Sequence, residues 1–200
     1  MEQDELIAQD VELPGGPLRV LQPRESADLP DDGPVEWAPI APYWSVLWRS
    51  GVALARELDG ELRGRRVVEL GCGLALPSIA AARLGATVLA TDEDPEAVEL
   101  AVRNAELNGV PIEAATLDWS SPAELLDRAP FDMVLAADVL YKRQNVATML
   151  SLLPRLAPAA WLADPGRPAA EAFIEQARRR GWAVDTRSSG VVDVHRLRFR

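Results

Sequence analysis

Short apolar runs alternate with helix-like stretches along this chain from residue 66 onwards. The apolar runs predict strands at residues 66–70, 87–91, 112–116, 133–137, 160–163 and 182–186. The stretches between most of them predict helices at residues 76–84, 95–108, 144–153 and 169–180. Such alternation is typical of a parallel sheet covered by helices on both faces. The sequence therefore predicts an α/β fold.

The C-terminal segment departs from this alternation. Residues 191–199 follow a turn at Gly190 and alternate apolar with polar or charged residues, which is typical of a strand with one solvated face. We expect them to pair antiparallel with residues 182–186, as a hairpin at the edge of a seven-stranded sheet. His195 would then point outward from an edge strand.

The N-terminal 43 residues differ from the rest because they are rich in proline, glycine and aspartate. We expect an irregular arm in which "LRVLQP" forms a strand and in which one hairpin can form. From Ser45 onwards, "SVLWRSGVALARELDG" predicts a helix that stops at Gly60. Two hundred residues suit one domain of this kind, so we predict a single domain over residues 1–200, with residues 1–43 as its arm.

The charge balance and the rarity of metal-binding residue types narrow the functional classes. With 21 Lys and Arg against 31 Asp and Glu, the formal net charge is -10, which disfavours a nucleic-acid partner and leaves cationic substrates open. Cys72 and His195 are the only residues of their types, which argues against a disulfide and against a metal site. The acidic start lacks the features of a secretory signal, and no apolar run reaches the ~18 residues of a membrane span. We therefore expect a cytoplasmic protein with no membrane partner.

Gly71 and Gly73 lie between a predicted strand and a predicted helix in "VVELGCGLALPSIAAARLGA". Ligands of open α/β sheets bind at the carboxyl ends of the strands, where glycine permits positive φ and a close approach of the backbone. A dinucleotide fingerprint that starts at Gly71 needs a small residue where Leu76 stands, whereas here the small residue is Ala75. Glu69 would repel a pyrophosphate but would suit a cationic amino group. The turn therefore predicts a ligand with a positive charge.

Acidic residues also follow the next two strands. Asp92 comes 21 residues after Gly71, the spacing at which a carboxylate binds the hydroxyls of a ribose. Asp118 and Trp119 supply a hydrogen-bond acceptor and an aromatic face that are placed to hold an adenine. A ribose, an adenine and a cationic amino-acid end together describe S-adenosylmethionine.

Over roughly residues 44–200 the chain resembles the class I, seven-stranded S-adenosylmethionine-dependent methyltransferases. "VVELGCGLALPSIAAARLGA", "ATDEDP" and "LDW" resemble their glycine motif, their ribose-binding acidic loop and their adenine-binding motif. Within that superfamily, "PYWSVLWRSGVALAREL", "NAELNGV", "AADVLY" and "ADPGRP" resemble the distant-lysine methyltransferases, in particular those that act on the electron transfer flavoprotein β subunit. Two positions depart from the pattern: Ala75 replaces a third glycine, and Lys142 follows the Asp-x-x-Tyr motif where those relatives carry an acid. The resemblance implies a Rossmann-like sheet, S-adenosylmethionine as the cofactor and a protein lysine as the methyl acceptor.

Carried over residue by residue, the resemblance also implies a set of site residues. Those expected to bind the cofactor are Trp48, Glu69, Gly71, Cys72, Gly73, Ala75, Asp92, Glu93, Asp118, Trp119 and Ala137. Asp138 and Tyr141 match the catalytic Asp-x-x-Tyr motif. Trp44 and Arg167 are the further candidates for binding the substrate.

Methyl transfer to an amine is an in-line displacement, so the protein mainly has to hold a neutral nitrogen against the methyl group. A free lysine has a pKa of ~10.4 and must lose a proton before it attacks. Asp138 would attract and orient the ammonium, and water would carry the proton away. Tyr141 and Trp44 would contact the cation through their ring faces.

Other interpretations of the same residues stay open at this point. The acidic and aromatic mouth would also suit a small-molecule amine, and a noncatalytic cofactor-binding partner protein would use Asp138 only structurally. Leu76 and Glu69 count against a nicotinamide oxidoreductase. Trp44 and Trp48 are as typical of core packing as of a site. The sequence does not predict the oligomeric state.

Overall fold

A seven-stranded sheet forms the centre of the computed structural model, which describes residues 5–27 and 42–199. The strands are β1 (Leu6–Val11), β2 (Leu18–Pro23), β3 (Arg66–Leu70), β4 (Thr87–Asp92), β5 (Glu113–Thr116), β6 (Met133–Ala137), β7 (Ala159–Asp164), β8 (Trp182–Ser188) and β9 (Asp193–Phe199). The order in the main sheet is β5-β4-β3-β6-β7-β9-β8. The first five of these strands run parallel, and β9 is antiparallel to both of its neighbours. The predicted α/β fold with an antiparallel C-terminal hairpin is confirmed.

Helices cover both faces of this sheet. They are α1 (Arg24–Ala27), α2 (Arg49–Glu57), α3 (Leu76–Arg83), α4 (Pro95–Leu107), α5 (Ala123–Asp127), α6 (Arg143–Leu156) and α7 (Pro168–Arg179). The short helices α1 and α5 were not predicted from the sequence. Within the described ranges, none of the helices combines the length and the apolar composition that crossing a bilayer requires.

Neighbouring side chains of one strand belong to different cores. Val67 and Val68 of β3 are both fully buried, Val67 in a core closed by α2, α3, α4 and the β1–β2 hairpin, and Val68 in one closed by α5, α6 and α7. Because both faces of the parallel strands are covered, these strands read as nearly continuous apolar runs in the sequence. The carboxyl ends of β3, β4 and β6 meet at one edge of this double core.

The helix predicted from Ser45 begins later, at Arg49. Tyr43–Ser45 instead form one turn of 3-10 helix, and Trp48 is extended. Ser45 is fully buried. Its hydroxyl donates to the carbonyl of Pro42 and shares a hydrogen bond of 2.6 Å with the hydroxyl of Ser26. These tertiary contacts fix the segment before α2 in a non-helical path.

A hairpin of β1 and β2 forms within the predicted arm and packs on α4. Buried Asn104 of α4 accepts from the backbone N–H of Leu21 at 2.7 Å and donates to the carbonyls of Leu21 and Leu74, each at 3.1 Å. Asn108, one turn later, makes the equivalent pair of hydrogen bonds with the backbone of Arg19. The two asparagines of "NAELNGV" therefore tie the hairpin to α4 and to the glycine turn. Residues 1–4 and 28–41 of the predicted arm lie outside the described residues.

The expectation that His195 points outward is wrong. Strand β9 is the second strand from the edge, and His195 shares a face with buried Leu197 in the core that contains α7. Its Nδ1 lies 2.9 Å from the hydroxyl of Thr186, and burial lowers its pKa. The sequence indicated the hairpin but not which of its two strands lies outermost.

Candidate active site

A cavity of about 840 Å³ opens where the strands β3, β4 and β6 end. This is within the range of about 300–1,000 Å³ that is typical of small-ligand sites. Every site residue predicted from the sequence lines it, from Trp44 and Trp48 before α2 to Arg167 before α7. The lining also includes Tyr43 and Lys142, which the sequence analysis did not assign to the site. The structure thus brings the candidates together, and their individual roles remain predictions.

The turn after β3 needs its two glycines because other parts of the protein approach it closely. Gly71 and Gly73 have φ of +67° and +48°. A Cβ on Gly71 would lie 2.9 Å from Cζ2 of Trp119, and one on Gly73 would lie 2.7 Å from the carbonyl oxygen of Trp44. Ala75, where a third glycine was expected, also adopts a left-handed conformation, with φ of +61°. The glycines therefore allow two tryptophan-bearing segments to pack on the turn, in addition to the predicted approach of a ligand.

Cys72 lies within this turn and is buried. Burial, together with the nearby carboxylates of Asp92 and Glu69, raises the pKa of its thiol well above the ordinary value. A thiolate is the reactive form of cysteine, so this environment argues against a nucleophilic role.

Asp92 joins the glycine turn to the loop after β4. One carboxylate oxygen accepts from the backbone N–H of Gly73 at 2.9 Å, and the other accepts from that of Asp94 at 3.1 Å. Burial raises the pKa of Asp92, although both hydrogen bonds oppose this. Because a carboxylate has more acceptor positions than these two bonds use, Asp92 can still bind hydroxyl groups in the cavity.

Glu69 has a different environment from the one predicted. Its side chain is 1% exposed, and one carboxylate oxygen accepts from both the backbone N–H and the hydroxyl of Ser78 in the first turn of α3. Burial raises its pKa to about 8, against the effect of the two Ser78 hydrogen bonds and with a smaller contribution from Asp92. The carboxyl group therefore holds the start of α3 and ionises less readily than an ordinary glutamate.

This pKa makes the stability of the protein depend on pH in a way that Glu69→Gln should remove. The pKa of Glu69 in the folded protein is raised above its ordinary value of 4.5. The contribution of Glu69 to the free energy of unfolding is therefore fully present below pH 4.5 and is lost as the pH rises towards about 8. The free energy of unfolding of the wild type should fall relative to that of Glu69→Gln by up to about 1.4 kcal/mol per pH unit. Urea unfolding of both proteins across this range measures the difference. A difference that does not change with pH would show that Glu69 is not perturbed.

Asp118 and Trp119 follow β5 at the next strand end. Asp118 is exposed and accepts from the backbone N–H of Ser120 at 2.7 Å and from its hydroxyl, which holds the pKa of the carboxylate below its usual range. The half-buried ring of Trp119 packs against Gly71. An ionised acceptor and an aromatic face therefore stand together on this side of the cavity.

Trp44 and Trp48 also line the cavity and differ in their hydrogen bonding. Nε1 of Trp48 donates to the carbonyl of Tyr43 at 2.9 Å. Nε1 of Trp44 is buried, and no acceptor for it exists among residues 5–27 and 42–199. A buried donor without a partner is costly, so Trp44 is ready to donate to an acceptor on a ligand.

Asp138 occupies the turn directly after β6. Its φ is +60°, a left-handed conformation that aspartate adopts more readily than most residues, and its backbone N–H donates to the carbonyl of Ala163 at 2.9 Å. Its carboxylate forms an ion pair with Arg167, whose guanidinium also lies 3.2 Å from the carboxylate of Asp164. Burial opposes the charge on Arg167, but the two carboxylates outweigh it and raise its pKa.

From the sequence, Asp138 was expected to orient the substrate ammonium and Arg167 was a candidate for binding the substrate, and the structure pairs these two side chains with each other. Two carboxylates share one guanidinium, so the ionised cluster keeps one excess negative charge. Asp164, which was not assigned to the site from the sequence, is buried, and its second oxygen accepts from the backbone N–H of Arg167 at 2.7 Å. Asp164 therefore fixes Arg167, and Arg167 in turn fixes Asp138.

Tyr141 is half-buried beside Asp138. Its ring centroid lies 6.2 Å from that of Tyr43, and Nζ of Lys142 lies 5.1 Å from it. Burial raises the pKa of the Tyr141 hydroxyl, helped by the carboxylates of Glu93 and Asp92. The ring is therefore a neutral aromatic surface that already contacts one ammonium group.

The chain is similar to a known protein family and to several relatives. A family model described as lysine methyltransferase matches residues 43–161. The electron transfer flavoprotein β-subunit lysine methyltransferase of Xenopus laevis is 34% identical over 160 residues, which are 75% of this chain and 62% of that protein. The histone-arginine methyltransferase of Xenopus laevis is 36% identical over 116 residues, covering 54% of this chain and 49% of the relative. The chain thus spans about half to three-fifths of the lengths of these relatives.

Among solved structures, the 16S rRNA N2 G1207 methyltransferase of T. thermophilus, in complex with AdoMet and guanosine, has the same fold. The TM-score is 0.65 at 20% sequence identity, over 98% of this chain and 51% of that one. At this identity the likeness concerns the arrangement of the sheet and helices alone.

Proposed function

Because this chain belongs to the lysine methyltransferase family, we propose that it transfers methyl groups from S-adenosylmethionine to a lysine side chain of a protein substrate. The observation that carries the proposal is the ion pair of Asp138 with Arg167, which Asp164 also contacts, in the cavity that the ring of Tyr141 also lines. This arrangement offers one excess negative charge and an aromatic face to an incoming ammonium group.

The residues of the inner cavity fit S-adenosylmethionine. Asp92 and Glu93 would hold the ribose, while Asp118 and Trp119 would hold the adenine. Nε1 of Trp44, which is buried and has no acceptor in the described part of the chain, fits an acceptor on the cofactor better than it fits the substrate, because a lysine ammonium has no acceptor. When bound, S-adenosylmethionine supplies an electrophilic methyl group.

The amino-acid end of the cofactor would lie near the glycine turn. Its carboxylate could accept from Nε1 of Trp44, whose backbone is in close contact with Gly73. Its ammonium group would lie near the same turn, where Glu69 is held by Ser78 and offers less charge than the sequence predicted.

Asp138 would orient the substrate lysine. Its carboxylate can pair with the incoming ammonium group while Arg167 keeps its contact with Asp164. The lysine must lose a proton before it attacks, and water at the exposed mouth would accept it. The ring of Tyr141 would hold the aliphatic part of the side chain and the cation next to it. The chain's own residues therefore mainly orient and desolvate the nitrogen, which is the main requirement of an in-line displacement.

The electron transfer flavoprotein β subunit is our first candidate substrate. The Xenopus laevis relative named for it covers three quarters of this chain. The net charge of -10 fits a substrate surface rich in cations. Lys142, however, adds a positive charge at the mouth of the site, where an acid would favour such a surface.

Trp44→Phe tests the assignment of the unpartnered indole. Within residues 5–27 and 42–199 the variant loses no hydrogen bond, so we expect its free energy of unfolding to change only through packing. Its affinity for S-adenosylmethionine should fall about tenfold, the effect of one lost hydrogen bond of about 1–1.5 kcal/mol. Trp161→Phe is the matched control, because Trp161 is buried outside the cavity and should leave the affinity unchanged. Equal affinities of wild type and Trp44→Phe, measured by calorimetry, would remove Trp44 from the cofactor site.

The proposed function is tested by transfer of label from radioactive S-adenosylmethionine into a size-fractionated bacterial lysate. We expect label in a discrete protein band with the wild type and its loss with Asp138→Asn. Label only in the low-mass fraction would contradict a protein substrate and indicate a small amine. Cofactor binding without any transfer would indicate a noncatalytic partner protein.

A further inference from the structure

Lys142 is the only lysine in the chain, whose other basic residues, apart from His195, are twenty arginines. It directly follows Tyr141, and its exposed side chain lines the same cavity as Asp138 and Tyr141. Lys142 caps the start of α6 with an extended backbone, and no carboxylate in the described part of the chain forms an ion pair with it. The one amine side chain of the protein therefore stands at the mouth of the proposed lysine-methylating site.

The contact made by Lys142 is the one expected of a substrate. Its Nζ lies 5.1 Å from the ring centroid of Tyr141, within the ~6 Å over which a cation is attracted to an aromatic face. Tyr43 also lines the cavity, and its ring lies 6.2 Å from that of Tyr141. An amine held next to a reacting centre by its own chain has a high effective concentration there, so even a poorly oriented one can compete with a free substrate.

We propose that Lys142 is a self-methylation site of this protein, an inference that rests on the proposed function. Its ammonium group gives a proton to water at the mouth, and the lone pair of Nζ then forms a bond to the methyl carbon of S-adenosylmethionine. The carbon–sulfur bond breaks, its electron pair stays on sulfur, and S-adenosylhomocysteine leaves. Methylated Lys142 keeps its positive charge and its place over Tyr141, where aromatic faces favour methylated ammonium groups.

The sequence makes this inference simple to test, because Lys142 and the terminal α-amino group are the only aliphatic amines of a tag-free chain. The purified full chain is incubated with S-adenosylmethionine, and the masses of the intact protein and of the peptide that contains Lys142 are measured. Lys142→Arg keeps the charge and the cation–aromatic contact but removes the amine. Asp138→Asn keeps the amine but removes the carboxylate that would orient it.

We expect the Lys142 peptide of the wild type to gain the mass of one or more methyl groups, and neither variant to gain mass. In a parallel reaction, the same wild-type preparation is assayed for transfer of label into lysate protein. Unmodified Lys142 together with label in a lysate protein would overturn self-methylation and leave the proposed function intact. If neither reaction is seen, self-methylation and the proposed function are both contradicted. An equal gain of mass by Asp138→Asn would indicate methylation without the site and would also overturn the inference.

The order of the reaction gives an independent check. If the methyl group is transferred within one chain, the rate constant for loss of unmodified Lys142 should be the same across a dilution series of the enzyme. A rate constant that rises in proportion to enzyme concentration would overturn the intramolecular step.

Discussion

Asp138→Asn should lower the rate of methyl transfer at least about 100-fold and leave the affinity for S-adenosylmethionine within a few-fold of the wild type. The exchange removes the excess negative charge of the cluster but keeps a side chain of the same shape. Asparagine also tolerates the left-handed conformation of this position, so the turn after β6 should survive. Arg167 keeps its contacts with Asp164 in the variant. The effect therefore reports on orientation of the substrate nitrogen.

Initial rates of label transfer and calorimetric binding of the cofactor, measured on the same preparation, separate the two effects. Asp185→Asn is the matched control, because Asp185 is exposed on the outermost strand and does not line the cavity. It should match the wild type in both measurements. An Asp138→Asn variant as active as this control would exclude Asp138 from the reaction.

Gly73→Ala should lower the affinity for S-adenosylmethionine by roughly 100-fold, or about 2.7 kcal/mol. The new Cβ would lie 2.7 Å from the carbonyl oxygen of Trp44, and a backbone atom has no flexible side chain with which to move aside. The positive φ of the position adds strain of about 1–2 kcal/mol for any residue with a Cβ. A shift of the turn would also lengthen the hydrogen bond between Gly73 and Asp92. The exchange should therefore displace both Asp92, which would hold the ribose, and Trp44.

Gly109→Ala is a close control for this exchange. Gly109 has φ of +66°, lies after the end of α4, and a Cβ there would meet no atom within 4 Å. It should lose stability through backbone strain alone and bind the cofactor like the wild type. The comparison uses urea unfolding and calorimetry. If Gly73→Ala and Gly109→Ala behave alike, the close approach of Trp44 has no part in cofactor binding.

The sheet was predictable because burial on both faces leaves a direct trace in the sequence. Val67 packs into one core and Val68 into the other. Both positions are therefore apolar, and together they form part of an apolar run that predicts a strand. The order of the strands leaves no such trace, since it depends on which helices cross which face. His195 shows the consequence: the alternation around it indicated a strand, but only the order of β9 and β8 decides that its side chain is buried.

The residues that line the site were predictable from their spacing in the sequence. Which of their side chains pair with one another was not. Asp138 and Arg167 follow different strands and meet because β6 and β7 pair with Ala137 opposite Ala163. Glu69 was expected to face the ligand because it stands next to the glycine turn, but the free N–H groups at the start of α3 compete for its carboxyl group and bind it. Tyr43 was missed although it lies within "PYWSVLWRSGVALAREL", because only the two tryptophans of that motif were assigned to the site. A single lysine in "LYKRQN" was the one available signal for Lys142.

The central claim is that the methyl group goes to a lysine nitrogen of another protein. The most direct test is acid hydrolysis of a labelled lysate protein, excised from a band other than that of the enzyme, with chromatography of the amino acids against methyllysine and methylarginine standards. We expect the label to elute with ε-methylated lysine and to disappear with Asp138→Asn. Label in methylarginine, or label released as a base-labile methyl ester, would contradict it.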